Sequence, residues 1–196
     1  MKINEQIRKG VIKSLPEAKQ IRDKKLREKV YDAWTLALQE TSFKSLDDMP
    51  GSGVPGVYVM KTGTQADHQR IVANIAVAMA RELKKEFKDF NIDMDEVLAG
   101  GLCHDLGKPY EYEPKNRERW ESDPRKTGLP AIRHPVYGAH IALMAGLPES
   151  IAHIASAHSH EKEGHFVKRS LACDLVHYAD YVYWELLKTA GLLRDQ

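Results

Sequence analysis

Two cysteines in 196 residues, Cys103 and Cys173, lie far apart and form no metal-spacing motif. No apolar run approaches the roughly 20 residues needed to cross a bilayer. The N-terminus, MKINEQIRKGVIKSLPEAKQ, carries charges where a secretory segment would be apolar. These absences point to a cytoplasmic protein with reduced thiols and no membrane partner. Net charge is nearly absent too: the formal balance is +1. A general pull toward a nucleic acid polymer is therefore not expected. Internal repeats and low-complexity tracts are missing, and strand signal is scarce. What remains is an ordinary balance of 42% hydrophobic and 29% charged residues, which excludes disorder throughout. The length suits one domain, or one domain with an N-terminal extension, and buries a core without staples.

Helical periodicity runs through almost the whole chain, so the fold class is all-α, a helical bundle. Leu26, Val30, Ala33, Trp34 and Ala37 mark a helix over about 17–40. Residues 41–66, with MPGSGVPGVYVMKTGT, read as a long loop with a short extended piece at 57–60. A helix follows over about 65–87, with the seam Ile71/Val72, Ile75, Met79 and Leu83 and with His68 one turn before Val72. Asp93 and Glu96 form a capping-box pattern, and the helix they open ends in His104-Asp105-Leu106-Gly107-Lys108-Pro109. The charged residues 109–133 read as an irregular lid. Pro135 opens a new helix behind His134, Gly146 closes it, and Pro148 opens another bearing Ile151, Ile154 and His158. The last helix, about 168–188, has Leu171, Leu175, Tyr178 and Val182 on one stripe and His177, Asp180, Tyr181 and Trp184 on the next. These elements divide the chain into an N-terminal helical extension and loop, 1–60, and a helical domain, 61–196, that carries every histidine of the chain. Trp34 and its neighbours either pack on the bundle or form a dimer contact, so a homo-oligomer stays open.

Nine histidines are many for this length, and eight lie between residues 104 and 177. A lone His-Asp pair is a weak signal, since adjacent helical residues point about 100° apart, but at a helix end both reach one ion. Here a His on an apolar face precedes the pair and an Asp on an apolar helix follows it. Buried polar groups of this kind are costly unless paired or bound to metal. Each has a plainer reading as well. His134 starts a helix and His158 sits on an inner face, which alone would account for them. Lys108 suits either a substrate anion or a helix dipole. His177 either orients Asp180 or is structural. Asp174 rivals Asp180 but lies off its stripe. His140, His153 and His165 suit the surface or core.

The order His68, His104-Asp105, Asp180, with the HDLGK form and the HP-x-x-GA piece at 134–139, resembles the HD superfamily of metal-dependent hydrolases. In that family the motif residues hold a divalent ion in a helical bundle. With His134 and His158 added, the order is similar to the dinuclear branch. The resemblance implies one or two divalent transition metal ions (Fe, Mn, Co, Ni or Zn, as imidazole and carboxylate donors suit). His68, His104 and Asp180 would hold the first ion, Asp105 would bridge, and His134 and His158 would hold the second. The chain departs from some dinuclear members at Ser159, where they carry a second histidine. That makes His160 a residue that supports the ligands or meets substrate, rather than a ligand itself. The GYP element of cyclic-dinucleotide phosphodiesterases is absent.

The implied activity is hydrolysis of a small phosphate ester or anhydride, such as a nucleotide or sugar phosphate, by metal-activated water. Asp105 and Lys108 would act at the reacting centre, with Lys108, His160 and Arg133 on the anionic substrate. Lys61, Arg117, Arg119, Lys126 and Arg133 lie in segments flanking the site, and one or two of them would clamp an anion, with nothing in the sequence to say which. Two other readings are kept: a di-iron oxygenase resembling the myo-inositol oxygenase branch, and a metal-stabilised binding module without catalysis.

Overall fold

Asn4, Asp23, Thr64, Asp93 and Ser170 each open a helix by accepting main-chain N–H bonds on a side-chain oxygen. The computed structural model describes residues 2–53, 58–122, 132–160 and 167–194. Its helices are α1 (Glu5–Ser14), α2 (Lys24–Gln39), α3 (Gln65–Glu86), α4 (Met94–Cys103), α5 (Lys108–Tyr112), α6 (Pro114–Glu121), α7 (His134–Met144), α8 (Glu149–Ala157) and α9 (Leu171–Thr189). Strands β1 (Pro50–Ser52) and β2 (Val59–Thr64) pair antiparallel, and Leu193 adds a bridge to Met60. The fold is all-α, and none of its described helices is long and apolar enough to cross a membrane.

Several expectations change in detail. The single helix over 17–40 is a 3₁₀ turn, Pro16–Gln20, and then α2, because Asp23 caps a fresh start. The helix α1 was not foreseen, although Asn4 caps it. At α4 the Asp93 side chain accepts from Asp95 N–H, while the reciprocal box forms at α3 between Thr64 and Asp67. The irregular lid is overturned over 109–121, where prolines in the first turn start α5 and α6 and Trp120 is buried. Residues 123–131 of it, with Lys126, fall outside the described residues, as do His165 and Val57.

The core explains which faces turn inward. Helices α3 and α4 cross so closely that a Cβ on Gly101 would lie 2.6 Å from Ala73 Cα. Small residues therefore fill the contact, and the buried face of α3 is His68, Val72, Ala73, Ala76, Val77 and Ala80. The expected seam holds in part: Val72 is fully buried and Ile75 and Met79 pack on the core, but Ile71 is 40% exposed and Leu83 37%. Leu171, Tyr178 and Val182 of α9 are exposed likewise, whereas Leu175, Ala179, Asp180, Tyr183 and Trp184 face in. Trp34 is fully buried and donates Nε1–H to Leu102 O at 2.7 Å, so α2 packs directly behind the end of α4. Ile7, Val11, Leu15 and Leu38 join Leu102 and Leu106 in the same core.

Candidate metal centre

Four helix ends meet at one buried point. His68 comes from the first turn of α3, His104 and Asp105 from the turn after α4, His134 from the first position of α7, and His158 from the end of α8. Asp180 enters from the middle of α9. All six are buried, none more than 6% exposed. The six metal candidates read from the sequence are thus brought together.

Asp105 lies at the centre. Its Oδ2 is 3.3 Å from His68 Nε2 and 3.5 Å from His104 Nε2. Its Oδ1 is 3.3 Å from His134 Nε2 and 3.6 Å from His158 Nε2. Each oxygen therefore faces its own pair of imidazoles. Asp180 Oδ1 lies 3.5 Å from His68 Nε2 on the first side. Donor atoms of His68, His104 and Asp180 all fall within 4.8 Å of one another, as do those of His104, Asp105 and His158.

The proton positions favour a cation. His104 Nδ1 meets Gly101 O at 2.7 Å, and His158 Nδ1 meets Ala155 O at 3.0 Å. His134 Nδ1 meets Glu111 Oε2 at 3.0 Å. A carbonyl or carboxylate only accepts, so each Nδ1 carries the hydrogen, and each neutral ring turns a bare Nε2 lone pair to the centre. Asp180 Oδ1 is buried there without a hydrogen-bond partner, a costly state that a cation relieves. The residues fit divalent metal ions.

Residues 66–193 match the family model of the HD domain. The chain belongs to the HD domain family. Searches of curated proteins and of solved structures gave no match. HD domains bind divalent metal ions, and the His/Asp groups of this HD domain could hold them.

Charge in the HD domain site is set by burial and by Lys108. Burial alone pushes the Asp105 carboxyl up, but Lys108 and the surrounding imidazoles outweigh it and hold it well below the usual carboxylate range. Burial drives His104 down to about 4, and burial together with Lys108 lowers His134. This has a consequence for the metal-free protein. Unfolded, His104 takes up its proton near the ordinary 6.5; folded, only near 4. Between these values the unfolded state holds the extra proton, so stability should fall as the pH drops from about 6.5 toward 4. The full effect of His104 alone is on the order of 3 kcal/mol. Thermal melts in chelator across this range should show the decline, and a flat profile would contradict it.

Lys108 is not at an exposed mouth but buried, with Nζ donating to Gly53 O and 3.6 Å from Glu111 Oε2. It begins α5 rather than ending a helix. It still lines the cavity over the centre, with Tyr58, Ser159, His160, Tyr181, Trp184 and Glu185 further out. His160 is exposed at that wall, as a substrate residue would be. Arg133 is placed elsewhere: its buried guanidinium donates Nε–H to Glu111 at 2.5 Å, and it does not line the cavity. Lys61 bonds Gly191 O, Arg117 pairs with Glu121, and Arg119 lies over Trp120, so none of these clamps reaches the centre. His177 turns Nδ1 to His158 O at 2.6 Å and supports that loop rather than Asp180. Asp174, Asp180's rival, faces an apolar surface groove instead.

Some contributors went unread in the sequence. Gln65 donates Nε2–H to Asp105 Oδ2 at 2.9 Å, and Gln69 does so at 3.4 Å. Gln65 precedes His68 by three residues on the same helix face, which is the available signal. Arg169 donates to Ala157 O at 2.6 Å and Ser159 O at 2.9 Å. With His177 it holds three consecutive carbonyls around His158, and nothing local in the sequence marks it.

Proposed function

We propose that this HD domain hydrolyses a small phosphate ester or anhydride, a nucleotide or sugar phosphate, using two divalent metal ions. One observation carries the reading: the two oxygens of a single buried carboxylate, Asp105, face separate sets of imidazole lone pairs, with the Lys108 cation lining the same cavity. His68, His104 and Asp180 would hold one ion, His134 and His158 the other, and Asp105 both. Ions there supply Lewis acidity, making water acidic near neutral pH and drawing charge from phosphoryl oxygens.

The protein's own share is positioning and charge. Lys108 brings a positive charge to the side on which phosphate oxygens would lie. Gln65 and Gln69 keep Oδ2 of Asp105 directed at the first position. The cavity over the centre is small, about 40 Å³, so the bulk of a substrate would lie toward its mouth. Aromatic Tyr58, Tyr181 and Trp184 offer flat apolar faces to the part of the substrate away from the phosphate. The buried free thiols of Cys103 and Cys173 suit the cytoplasm.

The test is phosphate release from a panel of nucleotides and sugar phosphates by protein loaded with manganese, iron or cobalt, against chelated protein. Metal-dependent release supports the proposal. No release with any metal would sink it, and oxygen consumption by the iron form in its place would install the oxygenase reading.

A further inference from the structure

Glu111 is fully buried on α5, six residues after Asp105, inside the segment whose sequence reads as solvated surface. Both its oxygens are engaged. Oε2 accepts from His134 Nδ1 at 3.0 Å; Oε1 accepts from Arg133 Nε at 2.5 Å and from His134 N–H at 3.3 Å. Lys108 Nζ lies 3.6 Å away. One carboxylate thus grips the main chain and the ring of the same histidine.

The reason it is needed lies in helix geometry. His104 and His158 stand at helix C-terminal ends and give Nδ1–H to the carbonyl three residues back, Gly101 O and Ala155 O. His134 is the first residue of α7, so no preceding helical turn offers such a carbonyl. Its acceptor must come from another element, and the acceptor that arrives is charged. A carboxylate there fixes the tautomer and ring direction, and makes Nε2 a better donor than a carbonyl partner does.

We infer that Glu111 is a positioning residue that makes His134 a competent metal ligand and so sets the affinity of the second metal position. The inference rests on the two-metal reading above. Two variants separate charge from reach. Glu111→Gln keeps the size but leaves one acceptor oxygen for three donors. Glu111→Asp keeps a negative charge near Arg133 and Lys108 but withdraws it from the His134 ring.

Zinc titration of the chelator-stripped protein, followed calorimetrically, reads the outcome without any activity. The wild type should bind about two zinc ions. Both variants should bind the first unchanged and the second roughly 10- to 100-fold more weakly. In a His134→Ala background, adding either Glu111 substitution should change nothing further, which a merely structural role would not produce. A wild-type stoichiometry of two with both variants unchanged overturns the inference and leaves the two-metal reading standing. A wild-type stoichiometry of one overturns both. Should Glu111→Gln not fold, the aspartate variant and the His134 Nδ1–H resonance of the wild type decide. That proton should be strongly downfield and slow to exchange, and a ring protonated on Nε2 instead would refute the inference.

Discussion

Asp105→Ala is expected to abolish metal-dependent hydrolysis and to strip the protein of most of its bound metal. The carboxylate reaches both imidazole sets, at 3.3 Å to His68 and 3.3 Å to His134. Without it the first position keeps His68, His104 and Asp180, while the second is left with two neutral histidines. Loss of transition-state stabilisation worth several kcal/mol corresponds to a rate lower by at least about a thousandfold. Metal content by elemental analysis should fall from about two per chain to one or less. The fold should survive, since the side chain is small and the helices around it pack through Ala73, Val97 and Leu102. Asp105→Asn sharpens the test. It preserves shape, but one side of the amide then offers N–H to imidazoles that already carry a hydrogen on Nδ1, and so cannot share a metal with them. An asparagine variant that kept both ions and full turnover would end the bridging assignment. Circular dichroism of both variants guards against misfolding as the explanation.

How far the sequence foretold this centre can be judged residue by residue. The order His68, His104-Asp105, His134, His158, Asp180 was legible because each residue is polar on an otherwise apolar helix face or stands at a helix boundary marked by Gly or Pro. Turn chemistry is local, and so Pro135 at the start of α7 and Gly146 at its end were readable as well. What escaped depends on long-range packing. Glu111 looks like one more acid in YEYEPKNRER, and only the arrival of α7 against α5 makes it a buried partner. Lys108 has the composition of a surface residue, yet Gly53 O, 55 positions earlier, captures it. The seam of α3 was legible only in part, Val72, Ile75 and Met79 meeting the core while Ile71 and Leu83 face out, for a related reason. The inward face is set by how closely α4 approaches, and Gly101 brings α4 near enough to Ala73 that alanines line the contact. Periodicity identifies a helix, but between two neighbouring apolar stripes the partner helix chooses. Arg169 completes the pattern: by sequence it falls in the first turn of the helix expected over about 168–188, yet it precedes α9 and clamps the backbone on both sides of His158.

Gly107→Ala should be among the most damaging single-methyl additions in the chain, and the reason differs from the one its sequence context offers. In HDLGKP the glycine reads as a helix stop, a role that rests on left-handed backbone. The structure has it right-handed, with φ −84° and ψ −8°, a conformation any residue adopts. Its requirement is proximity. A Cβ at this position would lie 2.1 Å from His134 O, 2.7 Å from His134 Cα and 2.8 Å from His134 C. All three are main-chain atoms, which no rotamer change moves aside. Gly138, one turn further along α7, makes the same approach from the other side: a Cβ there would lie 3.1 Å from Gly107 N. The methyl therefore has to push the start of α7 away by roughly an ångström or more. Overpacking of this type costs about 1–3 kcal/mol in ordinary cores, and the upper end is expected where backbone opposes backbone. The displaced residue is His134 itself, so the damage is not confined to stability. Its Nε2 would be drawn off Asp105 Oδ1, and a misplacement of about 1 Å in a catalytic constellation lowers rate on the order of a hundredfold. Thermal unfolding of the chelated protein reads the first effect; zinc stoichiometry reads the second, with the second position lost and the first retained. Gly191→Ala serves as the control. That glycine has φ +66° and nothing within 4 Å of its would-be Cβ, so its substitution strains a turn far from the centre and leaves both metal positions intact. If Gly107→Ala instead matched the wild type in melting temperature and zinc content, the close seating of α7 on the His104-Asp105 turn would be wrong, and with it the geometry that brings the second pair of histidines to Asp105.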